Sequence, residues 1–132
     1  MQVIGVAEWG MAKDKTVRST KVARRSPCPV ACALDLIGDR WTLLVIRDLM
    51  LGRSRFKDFE TSPEGIPTNI LSERLERLLG AGVVEQMPVE EGSKRLAYRL
   101  TTKGRALTPV MVAMRDWGLK WEKGTRILME PD

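Results

Sequence analysis

The reactive side chains of this 132-residue chain exclude several kinds of site. The sequence contains two cysteines, Cys28 and Cys32, and no histidine. Two thiols without imidazole fall short of the four ligands of a structural zinc site, so we expect no metal. The chain also lacks a Gly-rich phosphate loop and a nucleophile motif. We therefore expect neither a cofactor nor an enzymatic activity.

A second set of polar side chains, spaced along one predicted helix, suits nucleic-acid recognition. Asn69 and Arg77 can read base edges or hold phosphates. Thr68 and Ser72 are short donors near a helix N-terminus, where backbone N–H groups also favour phosphate. Glu73 counts slightly against a nearby phosphate, although a carboxylate can accept from cytosine. Taken alone, such a face is also typical of an ordinary surface helix.

Two basic clusters flank that helix in sequence. Arg53, Arg55 and Lys57 come before it, where phosphate anchoring is the expected role. Lys94 and Arg95 come after it, next to a predicted hairpin tip, and suit backbone or minor-groove contact. By themselves, Lys94 and Arg95 are more often ordinary hairpin charges.

The apolar spacing indicates how these side chains are positioned. It predicts four helices: from Pro29 to Gly38, from Arg40 to about Leu51, from Arg55 to Glu60, and from Pro67 or Thr68 to Gly80. Apolar side chains surround most of the second helix, which is typical of a central, buried helix. The fourth has a buried stripe of Ile70, Leu71, Leu75, Leu78 and Leu79, and its polar residues, Arg77 included, are expected away from the core.

After Gly82 the apolar period changes to that of a strand. The pattern predicts strands over Val83–Val89 and through Leu96 to Leu100, joined by a hairpin tip at residues 90–94. A last helix follows from Thr101 or Thr102 to about Lys123, with Pro109 expected to kink it or to leave one turn weaker. Its apolar stripe, which either closes the core or pairs with a second subunit, consists of Leu107, Val110, Met114, Trp117 and Trp121.

This order of elements predicts the fold class and the domain boundaries. A short helix, a tight turn, a second helix and a hairpin form a winged helix-turn-helix, in a mainly α chain with a small β-hairpin (α+β). We expect one DNA-binding domain over residues 27–123 with its dimerisation helices, a flexible basic arm over 1–26 and a tail over 124–132. The longest apolar run is interrupted by Arg47 and Asp48 and is too short for a bilayer. With no secretory signal either, we expect a cytoplasmic protein without a membrane partner.

Charge is unevenly distributed along the chain. The formal net charge is +5. Residues 1–26 carry six basic and two acidic side chains, and the rest of the chain is close to neutral. Such an arm either contacts phosphates or is a solvated tail. A near-neutral body argues against an architectural protein that binds DNA without sequence preference.

Several segments of the sequence resemble those of a known protein family. The chain resembles the HxlR-type winged helix regulators over about residues 28–121, in unbroken order. The matching segments are CPV at 28–30, IGDRWTLLVIRDL at 37–49, GRSRFKDF at 52–59, GIPTNILSERL at 65–75, AGVV at 81–84, YRLTTKG at 98–104, and a terminal helix with Trp117. Asp39 stands where a second glycine is common in that family, and Arg53 where proline is frequent.

The resemblance implies a function and a set of roles. In this family a dimer binds double-stranded operator DNA and represses or activates nearby genes. It implies a dimer interface made by the first and last helices, and leaves any small-molecule effector unknown. The DNA-facing residues that it implies are Thr68, Asn69, Ser72, Glu73 and Arg77, with a wing at Ser93 to Arg95.

Cys28 has two interpretations. It starts a helix beside Arg24 and Arg25, and both features favour a thiolate. The resemblance adds that some family members sense oxidants or electrophiles through a cysteine at this position, and a bridge between subunits is the better variant of that hypothesis. The alternative is an inert, buried thiol. Cys32 is expected in the core.

Our main hypothesis is thus a sequence-specific, homodimeric transcriptional regulator. The alternatives are a regulator that switches through Cys28, a non-specific architectural DNA-binding protein, and a winged helix that binds a protein partner through its wing.

Overall fold

A computed structural model describes residues 26–127 of the chain. The predicted arm over 1–26 and tail over 124–132 lie outside these residues, except for their inner ends. The chain divides into two units, residues 1–39 and 40–132.

The elements follow the predicted order. The first unit contains α1 (Pro29–Ile37). The second unit contains α2 (Arg40–Met50), α3 (Phe56–Glu60), α4 (Thr68–Gly80), β1 (Val84–Pro88), β2 (Leu96–Leu100), α5 (Thr102–Arg105) and α6 (Thr108–Trp121). The predicted fold class, mainly α with one β-hairpin, is confirmed. Within residues 26–127 no helix is both long and apolar enough to cross a membrane.

Helix α1 begins as its sequence predicts. Cys28 is its N-cap and Pro29 lies in its first turn, where the missing N–H of proline costs nothing. The apolar side chains of Val30 and Leu34 are one helical turn apart and are 66% and 57% exposed. Helix α1 thus presents an apolar surface to solvent.

Helix α2 lies at the centre of the second unit. Every residue from Trp41 to Met50 is at least half-buried, because the helix is covered on several sides. The core around it combines Val45, Ile46 and Leu49 with Phe59, Ile66, Leu71, Leu75, Leu78, Val83, Val84 and Leu100. Burying a side chain of this size contributes about 1.5–3 kcal/mol, so most of the fold's stability comes from this cluster.

The hairpin is an antiparallel pair that closes onto the core. Val84 pairs with Leu100 and Pro88 with Leu96. The Tyr98 N–H donates to the Ser54 carbonyl oxygen at 2.7 Å, which fixes β2 against the segment before α3. At the base of the hairpin, a Cβ on Gly104 would lie 2.2 Å from the Val83 carbonyl oxygen. Only glycine allows this close approach.

The prediction of a single last helix is wrong. Thr101 Oγ1 accepts the Gly104 N–H and caps the short helix α5. The chain then begins a new helix, α6, with Pro109 in its first turn. Pro109 therefore does not kink a continuous helix: proline lacks an N–H and fits a first turn better than an interior.

Candidate nucleic-acid interface

The candidate interface starts at α3, which is fixed by its own capping. The Asp58 carboxylate accepts the backbone N–H of Arg55 at 3.0 Å and of Ser54 at 3.2 Å. The Arg55 N–H contributes most to lowering the pKa of Asp58. A charged acceptor at this position satisfies N–H groups that a helix start leaves unpaired. A five-residue helix that is too short to be stable alone is thereby ordered.

The turn between α3 and α4 is anchored to α2 by two consecutive residues. The Arg47 guanidinium donates to both carboxylate oxygens of Glu64, at 2.8 and 2.9 Å. Asp48 is 3% exposed and accepts from the Ser62 hydroxyl, which is also buried. Arg47 also donates to the Asp48 carboxylate, at 3.0 and 3.2 Å. The chain entering α4 is therefore held at two points.

This network is charge-assisted. The hydrogen bond between Arg47 and Glu64 raises the pKa of Arg47 and lowers the pKa of Glu64. A bidentate pair fixes the angle between its two planar groups as well as their distance. The network thus orients the turn as well as holding it in place.

Helix α4 has a buried face and a polar face. Leu71, Leu75 and Leu78 are buried, as predicted, whereas Ile70 and Leu79 are only half-buried. The exposed residues of the helix include Thr68, Asn69, Ser72, Glu73 and Glu76.

Two of these exposed residues have polar partners within the chain. The Thr68 hydroxyl donates to a Glu60 carboxylate oxygen at 3.2 Å, which joins the start of α4 to the end of α3. Glu73 forms an ion pair with Arg74. This pairing partly neutralises one of the two acidic groups on the polar face.

The prediction that Arg77 lies away from the core is wrong. The residue is half-buried, and its Nη2 donates to the Thr42 hydroxyl at 3.0 Å, with Thr42 fully buried in α2. At 3.6 residues per turn, Arg77 lies about 80° from Asn69 around the helix axis, at the border between the two faces. A long side chain at such a border can turn either way, and here it turns inward.

The basic residues before α4 differ in their surroundings. Arg53 Nη1 donates to the Asp58 carbonyl oxygen at 2.8 Å, which gives Arg53 a local role in closing the segment around α3. Arg55 is half-buried at the N-cap of α3, and Lys57 is exposed.

The wing residues lie at the far end of the hairpin. The Val89 N–H donates to the Arg95 carbonyl oxygen at 2.8 Å, so Arg95 closes the ladder and Lys94 lies in the tip. Both side chains are exposed.

The candidate residues predicted from the sequence did not include Arg47, Asp48, Ser62 and Glu64. The signal was present, because Arg47 and Asp48 interrupt an otherwise apolar helix, and an acid in the middle of such a helix requires a partner. The partners could not be identified, since Glu64 and Ser62 lie in a turn whose course only the fold defines.

The predicted dimer stripe forms an exposed apolar surface. Helix α6 has no buried residue. Val110, Met114, Trp117 and Trp121 are 41 to 61% exposed, and Leu107, just before the helix, is half-buried. An open cleft of about 530 Å³ lies between α6 and the end of α2, lined by residues such as Met50, Met111 and Leu119.

The two thiols differ in exposure. Cys28 is exposed, whereas Cys32 is half-buried and its Sγ lies 3.2 Å from the Ser26 carbonyl oxygen. The prediction of a core position for Cys32 is therefore only partly met. Among the described residues, no three His, Cys, Asp or Glu side chains come together as possible metal ligands.

Comparison with known proteins adds to this geometry. A family model described as HxlR-like helix-turn-helix matches residues 36–126. The chain belongs to the HxlR-like helix-turn-helix family. It is 35% identical to the Bacillus subtilis protein YvaP, named an HTH-type transcriptional regulator, over 67% of this chain and 82% of YvaP. Two longer mycobacterial proteins, named HTH-type transcriptional regulators, are 39% identical over 67% of this chain, and the chain spans 56% of their length.

Solved structures of similar proteins share the fold. PA1607, described as a transcription factor, is 43% identical, with a TM-score of 0.72 over 83% of this chain and 78% of its own. The transcriptional regulator YodB from B. subtilis, in its reduced form, is 34% identical, with a TM-score of 0.61 over 75% of this chain and 98% of its own. YodB structures are also described as diamide-treated and quinone-bound.

Proposed function

We propose that this chain is a transcriptional regulator that binds a specific double-stranded DNA sequence as a homodimer in the cytoplasm. The observation that carries the proposal is α4: a helix of 13 residues, entered through an anchored turn, with one face buried on α2 and the other polar and exposed. The major groove admits one helix and has a distinct pattern of donors and acceptors for each base pair. Membership of the HxlR-like family supports the same function.

We assign the DNA contacts as follows. Asn69 and Ser72 read base edges, and the backbone N–H groups at the start of α4, that of Thr68 included, hold phosphate. Lys57, Arg55, Lys94 and Arg95 contribute phosphate contacts, and so does the arm over residues 1–26. Glu73 has the narrowest role, because it suits only a cytosine amino group.

The homodimer is supported by the apolar surfaces of α6 and α1. Monomeric soluble proteins rarely expose large contiguous apolar patches. Trp117 and Trp121 are of the residue type that most often anchors an interface. A second copy covering the stripe would set two α4 helices about 34 Å apart, one turn of DNA.

A binding assay on the promoter beside the chain's own gene tests the proposal. We expect the full chain to bind this DNA at least about a thousandfold more tightly than random DNA, measured by fluorescence anisotropy over a range of salt concentrations. Asn69→Ala should weaken binding to the promoter about 5- to 150-fold and leave binding to random DNA unchanged. Glu122→Ala, an exposed polar residue at the end of α6, is the control.

The outcomes distinguish the alternatives. Equal affinity for both DNAs at every salt concentration would contradict sequence-specific binding. If deletion of residues 1–26 then also abolished a steep salt dependence, the chain would be a non-specific DNA-binding protein. Binding to neither DNA would favour a protein partner at the wing.

A second candidate function adds a redox switch at Cys28. Its exposed thiol at the start of α1 and the diamide-treated and quinone-bound structures of YodB favour it. In this scheme, the S–H bonds of two Cys28 thiols, one from each subunit, break and an S–S bond forms. The two protons and two electrons that are released pass to the N=N bond of diamide, which becomes the hydrazine. The test is promoter affinity with and without diamide, for the wild type and for Cys28→Ser. An equal response of both proteins would rule Cys28 out.

A further inference from the structure

Polar contacts to α2 hold both the turn before α4 and the last part of α4. At the start, Arg47 and Asp48 hold the turn that leads into α4. Near the other end, Arg77 donates to Thr42, one to two turns earlier in α2. Both anchors on α2 belong to the same rigid helix.

The Thr42 contact is well placed to fix how far α4 rotates about its axis. Close packing of Leu71, Leu75 and Leu78 on α2 limits rotation of the helix, but the free energy of apolar burial is non-directional and changes only gradually with a small rotation. A hydrogen bond weakens steeply away from its preferred distance and angle. The Nε atom of Arg77 is buried as well. Arg77 is half-buried as a whole, and moving a partly buried charged group away from a hydrogen-bond partner costs free energy.

A small rotation matters for the polar face. A side-chain tip about 6 Å from the helix axis moves by about 1.5 Å for a rotation of about 15°. That displacement exceeds the tolerance of a hydrogen bond to a base edge. The base contacts of Asn69 and Ser72 are therefore more sensitive to a small rotation of α4 than the stability of the core is.

We propose that Arg77 is a positioning residue for DNA recognition: its bond to Thr42 fixes the rotation of α4 and so aims Asn69 and Ser72. Arg77 acts on DNA through these residues and not by direct contact. The inference rests on the proposed function.

The experiment uses Thr42, because a fully buried residue cannot contact DNA itself. Thr42→Val keeps the shape and removes the hydroxyl, whereas Thr42→Ser keeps the hydroxyl and removes a methyl group. In the full-length protein, we expect Thr42→Val and Arg77→Met each to lower the ratio of promoter to random-DNA affinity about tenfold. The double variant should lose no more than either single variant, and Thr42→Ser should retain the wild-type ratio.

Several results would overturn this inference. If Thr42→Val keeps the wild-type ratio while Arg77→Met weakens binding to both DNAs and lowers the salt slope by about one, Arg77 contacts phosphate directly. If Thr42→Ser loses as much as Thr42→Val, the affinity ratio responds to any change of packing at position 42 and not to the hydroxyl in particular. A purely structural role would lower the melting temperature of the variants without changing the affinity ratio.

A DNA-independent readout separates this inference from the proposed function. In a Cys28→Ser, Cys32→Ser background, thiol-labelling rates of Asn69→Cys and Ile70→Cys report which side of α4 faces solvent. We expect Thr42→Val to change the ratio of the two rates at least about twofold, and Thr42→Ser to leave it unchanged. An unchanged ratio in Thr42→Val overturns the inference even if the wild type has no promoter preference.

Discussion

Helices α4 and α6 have similar lengths and both have an apolar stripe, but only the stripe of α4 is buried within the chain. In α4, Leu71, Leu75 and Leu78 are buried within the chain, and polar contacts to α2 hold its flank and its entry. In α6 no residue is buried, and two tryptophans are about 60% exposed. An amphipathic pattern therefore specifies that a helix needs a partner, but not whether that partner lies in the same chain.

This difference predicts in which helix the shortening of an apolar side chain lowers the free energy of unfolding most. Leu75→Ala should lower the free energy of unfolding by about 2–5 kcal/mol, because it leaves a cavity under α4. The matched control, Leu119→Ala in α6, should cost about 0.5 kcal/mol or less in dilute solution, where a dimer is dissociated. Urea unfolding followed by circular dichroism measures both. Equal losses at low protein concentration would contradict the contrast.

The exposed stripe of α6 predicts the next largest effect, on assembly. Trp117→Glu should raise the dimer dissociation constant by more than about tenfold, because a charge replaces an aromatic anchor. Light scattering coupled to size exclusion measures the mass, with Asp116→Asn on the same helix as control. A dimer of unchanged stability in Trp117→Glu would exclude this stripe as the interface.

Two glycines, one in α5 and one in α6, extend the comparison between a helix that packs within the chain and the exposed α6. Gly104→Ala should destabilise the fold by about 1–3 kcal/mol, because the new Cβ would meet the Val83 carbonyl oxygen. Gly118→Ala in α6 has no atom within 4 Å of its Cβ, and its higher helix propensity should stabilise the helix by about 0.5–1 kcal/mol. Thermal unfolding at low concentration measures both. A stabilised Gly104→Ala would mean that α5 is not closely packed on the hairpin.

The smallest predicted effect is a pH dependence of the turn before α4. The hydrogen bond from Arg47 lowers the pKa of Glu64, so ionised Glu64 stabilises the fold above its unfolded pKa of about 4.3. This stabilisation is lost as the pH falls through the lower folded value. Glu64→Gln should cost less than about 1 kcal/mol at pH 7 and have a smaller acid-induced loss of stability.

The control for this pH effect lies on the other helix. Asp116→Asn breaks an exposed ion pair with Arg115 in α6, and it should leave the acid-induced loss as in the wild type. Urea unfolding between pH 7 and pH 3 gives the comparison. If Glu64→Gln and the wild type lose stability in parallel, the Arg47 pair does not stabilise the turn.

Local patterns were sufficient for most of the elements. Glycine and proline positions, with a clear 3.6-residue period, predicted α1 to α4 to within one or two residues, and alternation predicted the hairpin. The prediction of a single last helix failed because the period continues smoothly through Leu107, whereas the chain ends one helix there and begins another with Pro109 in its first turn. Proline inside a helical pattern is compatible with a kink as well as with a new helix start, so the sequence could not distinguish the two.

For the candidate interface, the sequence alone determined which helix is amphipathic and which residues form its polar face, since spacing on a helix fixes their angles. It could not determine the direction of Arg77, which lies at the border between the two faces and turns toward a hydroxyl 35 positions away in the chain. Nor could the sequence predict that Arg47 pairs with Glu64. Only the tertiary structure decided these contacts, because long side chains choose partners by distance in space, and the core brings those partners together.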